Sequence, residues 1–95
     1  MSKIGPYQVG DVVFVKTVGE INVGRIGAID LTDRWLVLED ASWAANVGRV
    51  GDALKDGELK EVEPYPAPYV MGLDYVLSMT SWSGPCPYPQ TPADD

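Results

Sequence analysis

Arg49 is the residue whose setting asks for a chemical explanation. It stands in the run Gly48-Arg49-Val50-Gly51, a poor helix by composition, shortly after Trp43 and Asn46. A guanidinium is a rigid fork of N–H donors, and flanking glycines let backbone N–H groups close around the same anion. Arg25 and Arg34 precede it on segments that read as strands. Trp43 offers a face on which a base or another planar ring can stack. Arg49, Trp43, Arg25 and Arg34, with Gly48, Gly51 and Asn46 around them, are therefore the candidate ligand-binding residues. Plainer readings stand beside this one. Trp43 recurs with Val47, Val50 and Leu54 at helical spacing, as a core anchor does. Arg25 and Arg34 have Asp30, Asp33 and Glu39 as ready partners across a sheet.

The remaining reactive groups argue against most enzymes. The chain has no histidine and one cysteine, which removes the usual general base, tetrahedral zinc and any Ser-His or Cys-His nucleophile within one chain. Cys86 lies in Pro-Cys-Pro with no basic neighbour in sequence to lower its pKa. Asp52 and Asp56 share a helical face, and Glu39-Asp40 ends a strand. Such carboxylates can run acid–base chemistry or hold Mg2+, but more commonly they cap a helix or form a solvated face. No phosphate-loop, dinucleotide or calcium-loop spacing is present. No catalytic residue, metal or cofactor is expected.

Fourteen acids against seven bases give a formal net charge of -7 over 95 residues. That balance repels a phosphate backbone, so direct nucleic-acid binding is not expected. It suits solubility, or docking onto a basic protein through Asp52, Asp56, Glu58, Glu61 and Glu63. No apolar run is long enough to span a bilayer, and Met1 to Pro6 has no apolar leader segment, so a cytosolic setting is expected. A domain this small buries only part of its apolar surface alone, which favours a homo-oligomer.

The elements that must position these residues read mainly as strands. Residues 2–9 read as a leading loop. Val12 to Val18 is β-branched and nearly continuously apolar, a strand buried on both faces at one end. Ile21 to Asp30 alternates loosely, with Gly24 and Gly27 marking a bulge or sharp coil. Leu31 to Arg34 connects to a third strand, Trp35 to Leu38. Asp40 or Ser42 then caps two short helical pieces broken near Asn46 to Gly48, the second ending at Gly57. Glu58 to Glu63 reads as a charged edge strand, and Pro64-Tyr65-Pro66-Ala67-Pro68 as a stiff connector. Tyr69 to Trp82 reads as a final strand kinked at Gly72. The expected fold is mainly β with one or two short helices, a small, bent, antiparallel SH3-like or Sm-like barrel. Residues 1–84 form a single β-rich domain, and 85–95 a Pro-rich tail.

The runs Val23-Gly24-Arg25, Trp35-Leu36-Val37-Leu38-Glu39-Asp40-Ala41-Ser42-Trp43, Gly48-Arg49, Ala53-Leu54 and Gly57 resemble a small domain family of unknown function associated with bacteriophage genomes. The likeness covers the middle half of the chain and leaves out the tail. It implies a small acidic accessory phage protein acting in the host cytosol, a class in which counter-defence factors are common, and it carries no site residues over. Two functions are expected from this context. One is sequestration of a small anionic, nucleotide-like host immune signal by Arg49 and its neighbours. The other is an acidic proteinaceous inhibitor that blocks a host defence nuclease or effector; a minor virion structural role is a third.

Overall fold

The structure is a computed structural model that describes residues 3–57, 59–84 and 86. Strands β1 (Lys3–Ile4) and β2 (Tyr7–Gln8) form a small hairpin, followed by β3 (Val12–Thr17), β4 (Ile21–Asp30) and β5 (Trp35–Asn46). Helix α1 (Val50–Asp56) leads to β6 (Glu61–Pro64), β7 (Tyr69–Gly72), a 3-10 turn (Leu73–Tyr75) and β8 (Val76–Ser81). The main sheet is antiparallel and runs in the order β6-β5-β4-β3-β8, with β7 added to β5. The expected class, a mainly β bent barrel, is the observed one, and of the one or two short helices expected one α-helix forms.

The apolar run of β3 explains the two-sided core. Val13 and Val15 pack with Ile26, Leu36, Leu38, Ala41 and Met71 on one side. Phe14 faces the other way, into a cluster with Val23, Ala53 and Trp82. The Phe14 and Trp82 rings stack with centroids 5.9 Å apart and planes 12° apart. Alternate side chains point to opposite faces of a strand, so a strand covered on both sides needs apolar residues throughout. The second cover is α1, which buries Ala53 there and ends at Gly57, φ 70°, whose N–H donates to the Ala53 carbonyl.

The long strand β5 replaces what the sequence suggested for its second half. Residues 35–38 pair with β7, residues 42–46 pair with β6, and β4 runs along the other side. Between the halves Asp40 has φ 51°, and the β4–β5 register shifts on either side of Gly24 and of Gly27. A side chain at Gly24 would lie 3.1 Å from Ala41 Cα, Ala41 Cβ and Leu38 Cβ, so the strands meet there only because glycine has none.

Several expectations are corrected. Residues 2–9 are not a plain loop: Lys3 pairs with Gln8 and Ile4 with Tyr7. Trp43 to Asn46 is strand, not helix, because two neighbouring strands satisfy its backbone and outweigh the helical spacing of the apolar side chains that follow. Only one helical piece forms, and neither Asp40 nor Ser42 caps it. The residue before it is Arg49, extended at φ -83° and ψ 123°, with no side-chain cap. The expected final strand is two strands separated at Gly72 by the 3-10 turn. Glu58, Pro85 and residues 87–95, hence nearly all of the expected tail, lie outside the described residues.

Two substitutions separate these roles in urea denaturation. Gly24→Ala overpacks the bend and lowers the unfolding free energy by about 1–3 kcal/mol. Gly51→Ala, in a helical turn with nothing within 4 Å of the new methyl, raises it by about 0.5–1 kcal/mol.

Candidate functional site

A cleft of about 490 Å³ opens where the end of β5, α1 and the segment before β6 meet, lined by Val47, Gly48, Arg49, Asp52, Ala53, Asp56, Leu59 and Lys60. Val47, Ala53 and Leu59 belong to the core cluster beneath it and supply its apolar part. Arg49 and Lys60 supply two cations, Asp52 and Asp56 two anions, all exposed. No ion pair joins these four groups or ties Arg49 or Lys60 to any other described residue. The cleft therefore presents uncommitted charges of both signs over an apolar floor.

Asn46 holds the walls together. Its carbonyl accepts the Lys60 N–H at 2.9 Å, and its side-chain oxygen accepts the Gly48 N–H at 3.0 Å. Its role is architectural, and the Gly48 N–H that was a candidate anion donor is spent on it. Gly48 has φ 74°, and a methyl there would meet Lys60 Cγ at 3.1 Å, so this glycine lets the lysine stem lie against the loop. Gly51 sits in the first helical turn and does not line the cleft.

The other expected ligand residues are elsewhere. Arg25 donates to Asp40 and, at 3.4 Å, to Glu39, across the bend between β4 and β5. Arg34 Nε donates to Asp74 at 2.7 Å. Both arginines have carboxylate partners and neither joins Arg49; the plainer reading holds for Arg25, which meets Glu39, whereas Arg34 pairs with Asp74 rather than with Asp30, Asp33 or Glu39. Trp43 is 37% exposed, not a core anchor, and lines a different hollow from Arg49. Of the acidic set, Asp52 and Asp56 belong to the Arg49 cleft, while Glu61 and Glu63 stand on β6 opposite Asn46 and Trp43. Lys60 was missed because the alternation from Glu58 to Glu63 reads as an edge strand, and only the fold sets it in one cleft with Arg49. Among the described residues no three metal-ligating side chains come together.

A polar cluster was also missed. Tyr69 Oη donates to Glu20 at 2.6 Å, and Tyr65 Oη to Asn22 Oδ1 at 2.9 Å, while the two rings stack at 4.3 Å with parallel planes. Asn22, fully buried, reaches Glu20 at 3.4 Å. The residues are far apart in sequence, so nothing but the fold brings them together. Burial, then the Glu20 charge, pushes the Tyr65 hydroxyl well above its ordinary value; the hydrogen bond to Glu20, then burial, raises Tyr69. Cys86 does gain a basic neighbour in space, Arg25, but burial dominates and its thiol is raised rather than activated.

Raised tyrosine values have a sign in stability. The folded chain holds these protons when the unfolded chain has released them, so stability is lost as pH rises above the ordinary tyrosine value of 10.0. Urea midpoints are expected to fall from pH 9.5 to 11 (roughly the window set by tyrosine titration), and Tyr65→Phe with Tyr69→Phe to flatten that fall. Gly48→Ala is expected to cost about 1 kcal/mol at neutral pH, from the left-handed backbone.

No family model and no curated protein matches the chain. Among solved structures it is similar to a heptameric archaeal Sm protein, with TM-score 0.54 and 23% identity over 77% of this chain and 87% of that one. The likeness is one of fold: both chains are bent, antiparallel, Sm-like barrels.

Proposed function

We propose that the chain is a self-associating binding module whose Arg49 cleft sequesters a small, nucleotide-like anion, in the phage counter-defence setting implied by the family resemblance. One observation carries the reading. Arg25 and Arg34 are neutralised by carboxylates, whereas Arg49 and Lys60 have no ion-pair partner among the described residues and stand over an apolar floor. A phosphate on these two cations gains charge-assisted hydrogen bonds, and a ring lies on Val47 and Leu59. Asp52 and Asp56 accept hydroxyl or amine donors from the same ligand and repel a polyanion. That agrees with the net charge of -7, which disfavours nucleic acid.

Self-association is supported by the strand edges. The outer edge of β8 pairs with no strand among the described residues, and its sequence, Val-Leu-Ser-Met-Thr-Ser, carries no charge to discourage pairing. Leu77 on it is 62% exposed, and the Sm protein of similar fold is heptameric. The arrangement favours a binder over an acidic inhibitor that mimics nucleic acid, because Arg49, Lys55 and Lys60 interrupt the acids of α1 and β6. Binding, not catalysis, is the role proposed for the carboxylates.

Thermal shift and native mass measurements with a panel of linear and cyclic nucleotides test this. A ligand at a hundred times its Kd stabilises the fold by about 2.7 kcal/mol. A defined oligomer with a nucleotide-specific shift is expected, lost in Arg49→Ala, weakened in Lys60→Met and kept in Glu61→Lys with Glu63→Lys. A flat panel, or loss of function only on reversing Glu61 and Glu63, sinks the reading.

A further inference from the structure

The charges of the Arg49 cleft are sorted along its length. A methyl placed on Gly48 would stand 3.1 Å from Lys60 Cγ and 3.2 Å from Lys60 Cε, so the lysine stem lies along the loop and brings its ammonium to the Arg49 end. The Gly48 N–H donates to Asn46 Oδ1 at 3.0 Å, which leaves the holding of an anion there to the two side-chain cations. Asp52 and Asp56 follow Arg49 by three and seven residues, on the flank of α1 beside the buried Ala53. At a helical rise of about 1.5 Å per residue they stand about 4.5 Å and about 10.5 Å along the axis from Arg49. Neither carboxylate has an ion-pair partner among the described residues, and neither cation has one. The cleft of about 490 Å³ thus runs from a cationic end to an acidic end over Val47 and Leu59.

We infer that this cleft selects a guanine mononucleotide, an inference that rests on the nucleotide reading above. The phosphate sits between Arg49 and Lys60, the base lies on Val47 and Leu59, and the far carboxylate, Asp56, reads the edge of the base. The separation decides the assignment. Asp56, about two turns from Arg49, is a sugar and a base away from the phosphate, whereas Asp52, about one turn away, is level with the sugar and accepts a ribose hydroxyl. An ionised carboxylate only accepts hydrogen bonds, and it accepts two side by side. Guanine is the base that matches, because its N1–H and 2-amino group are adjacent donors on one edge. Adenine and cytosine set one amino donor beside a ring-nitrogen acceptor, and uracil flanks its one N–H with two carbonyls. Each of these turns a lone pair toward the carboxylate.

Isothermal titration calorimetry of the full chain tests the selection. The probes are the 5′-monophosphates of guanosine, inosine, adenosine, cytidine and uridine, and guanosine without phosphate. Guanosine monophosphate is expected to bind about tenfold or more tightly than the adenine, cytosine and uracil nucleotides. Inosine monophosphate, which keeps N1–H but lacks the 2-amino group, is expected to bind about fivefold more weakly than guanosine monophosphate. Loss of the phosphate, or Arg49→Ala, is expected to weaken binding by about tenfold or more. Asp56→Asn is expected to bring the guanine and adenine nucleotides within about twofold of each other while both still bind, and Asp52→Ala to weaken all the nucleotides alike. Both aspartates are exposed, and unchanged thermal melts show that the variants fold. Equal affinity for every base, with binding still lost in Arg49→Ala, keeps the nucleotide reading and overturns the guanine assignment. A guanine preference unchanged in Asp56→Asn overturns it too. No binding of any nucleotide at millimolar concentration overturns both.

Discussion

The bend of β5 against β4 is the constraint from which the rest of the molecule follows. One strand of twelve residues has to serve β4 along one side and both β7 and β6 along the other. It can do so only by turning between its halves, at Asp40, where φ is 51°. Gly24 permits the close approach on the inside of that turn, and Arg25 ties its guanidinium to Glu39 and Asp40 on the outside. Without the turn, residues 42–46 would not meet β6, and Asn46 would not join Gly48 to Lys60.

That constraint also decides which cations are available. Arg25 is used to hold the bend, and Arg34, at the β4–β5 connection, is paired with Asp74 beside the 3-10 turn. Arg49 and Lys60 follow the bend and belong to the short connections around α1, where backbone contacts through Asn46 set their positions without neutralising their charge. Structural pairing thus engages Arg25 and Arg34 and leaves Arg49 and Lys60 without an ion-pair partner among the described residues. Surface ion pairs contribute little to stability on average, so their principal effect here is on which charges remain unspent.

Much of the fold was legible because strand signals are local. The β-branched run of β3, the loose alternation of β4 with its two glycines, and the short connection before Trp35 each state their role within a few residues. Gly57 marked the helix end for the same reason, since a left-handed terminal residue favours glycine wherever it occurs. Local signals failed where two patterns competed. Trp43, Val47, Val50 and Leu54 have helical spacing, yet the first two lie outside the helix, because pairing with β4 and β6 satisfies more backbone than a glycine-interrupted helix could.

The sequence by itself determined the mainly β class, the two-sided burial of β3, the acidic balance, and Arg49 as the residue to explain. These depend on composition and on periods of two to four residues, which any reader of the chain can count. Only the tertiary structure decided that Arg25 and Arg34 are spent, that Lys60 lines one cleft with Arg49, and that Tyr65, Tyr69 and Asn22 gather around Glu20. Each of these joins residues brought together by strand pairing or by the turn of β5. A charge found free or paired depends on what lies beside it in space, and in this chain the partner is often far away in sequence.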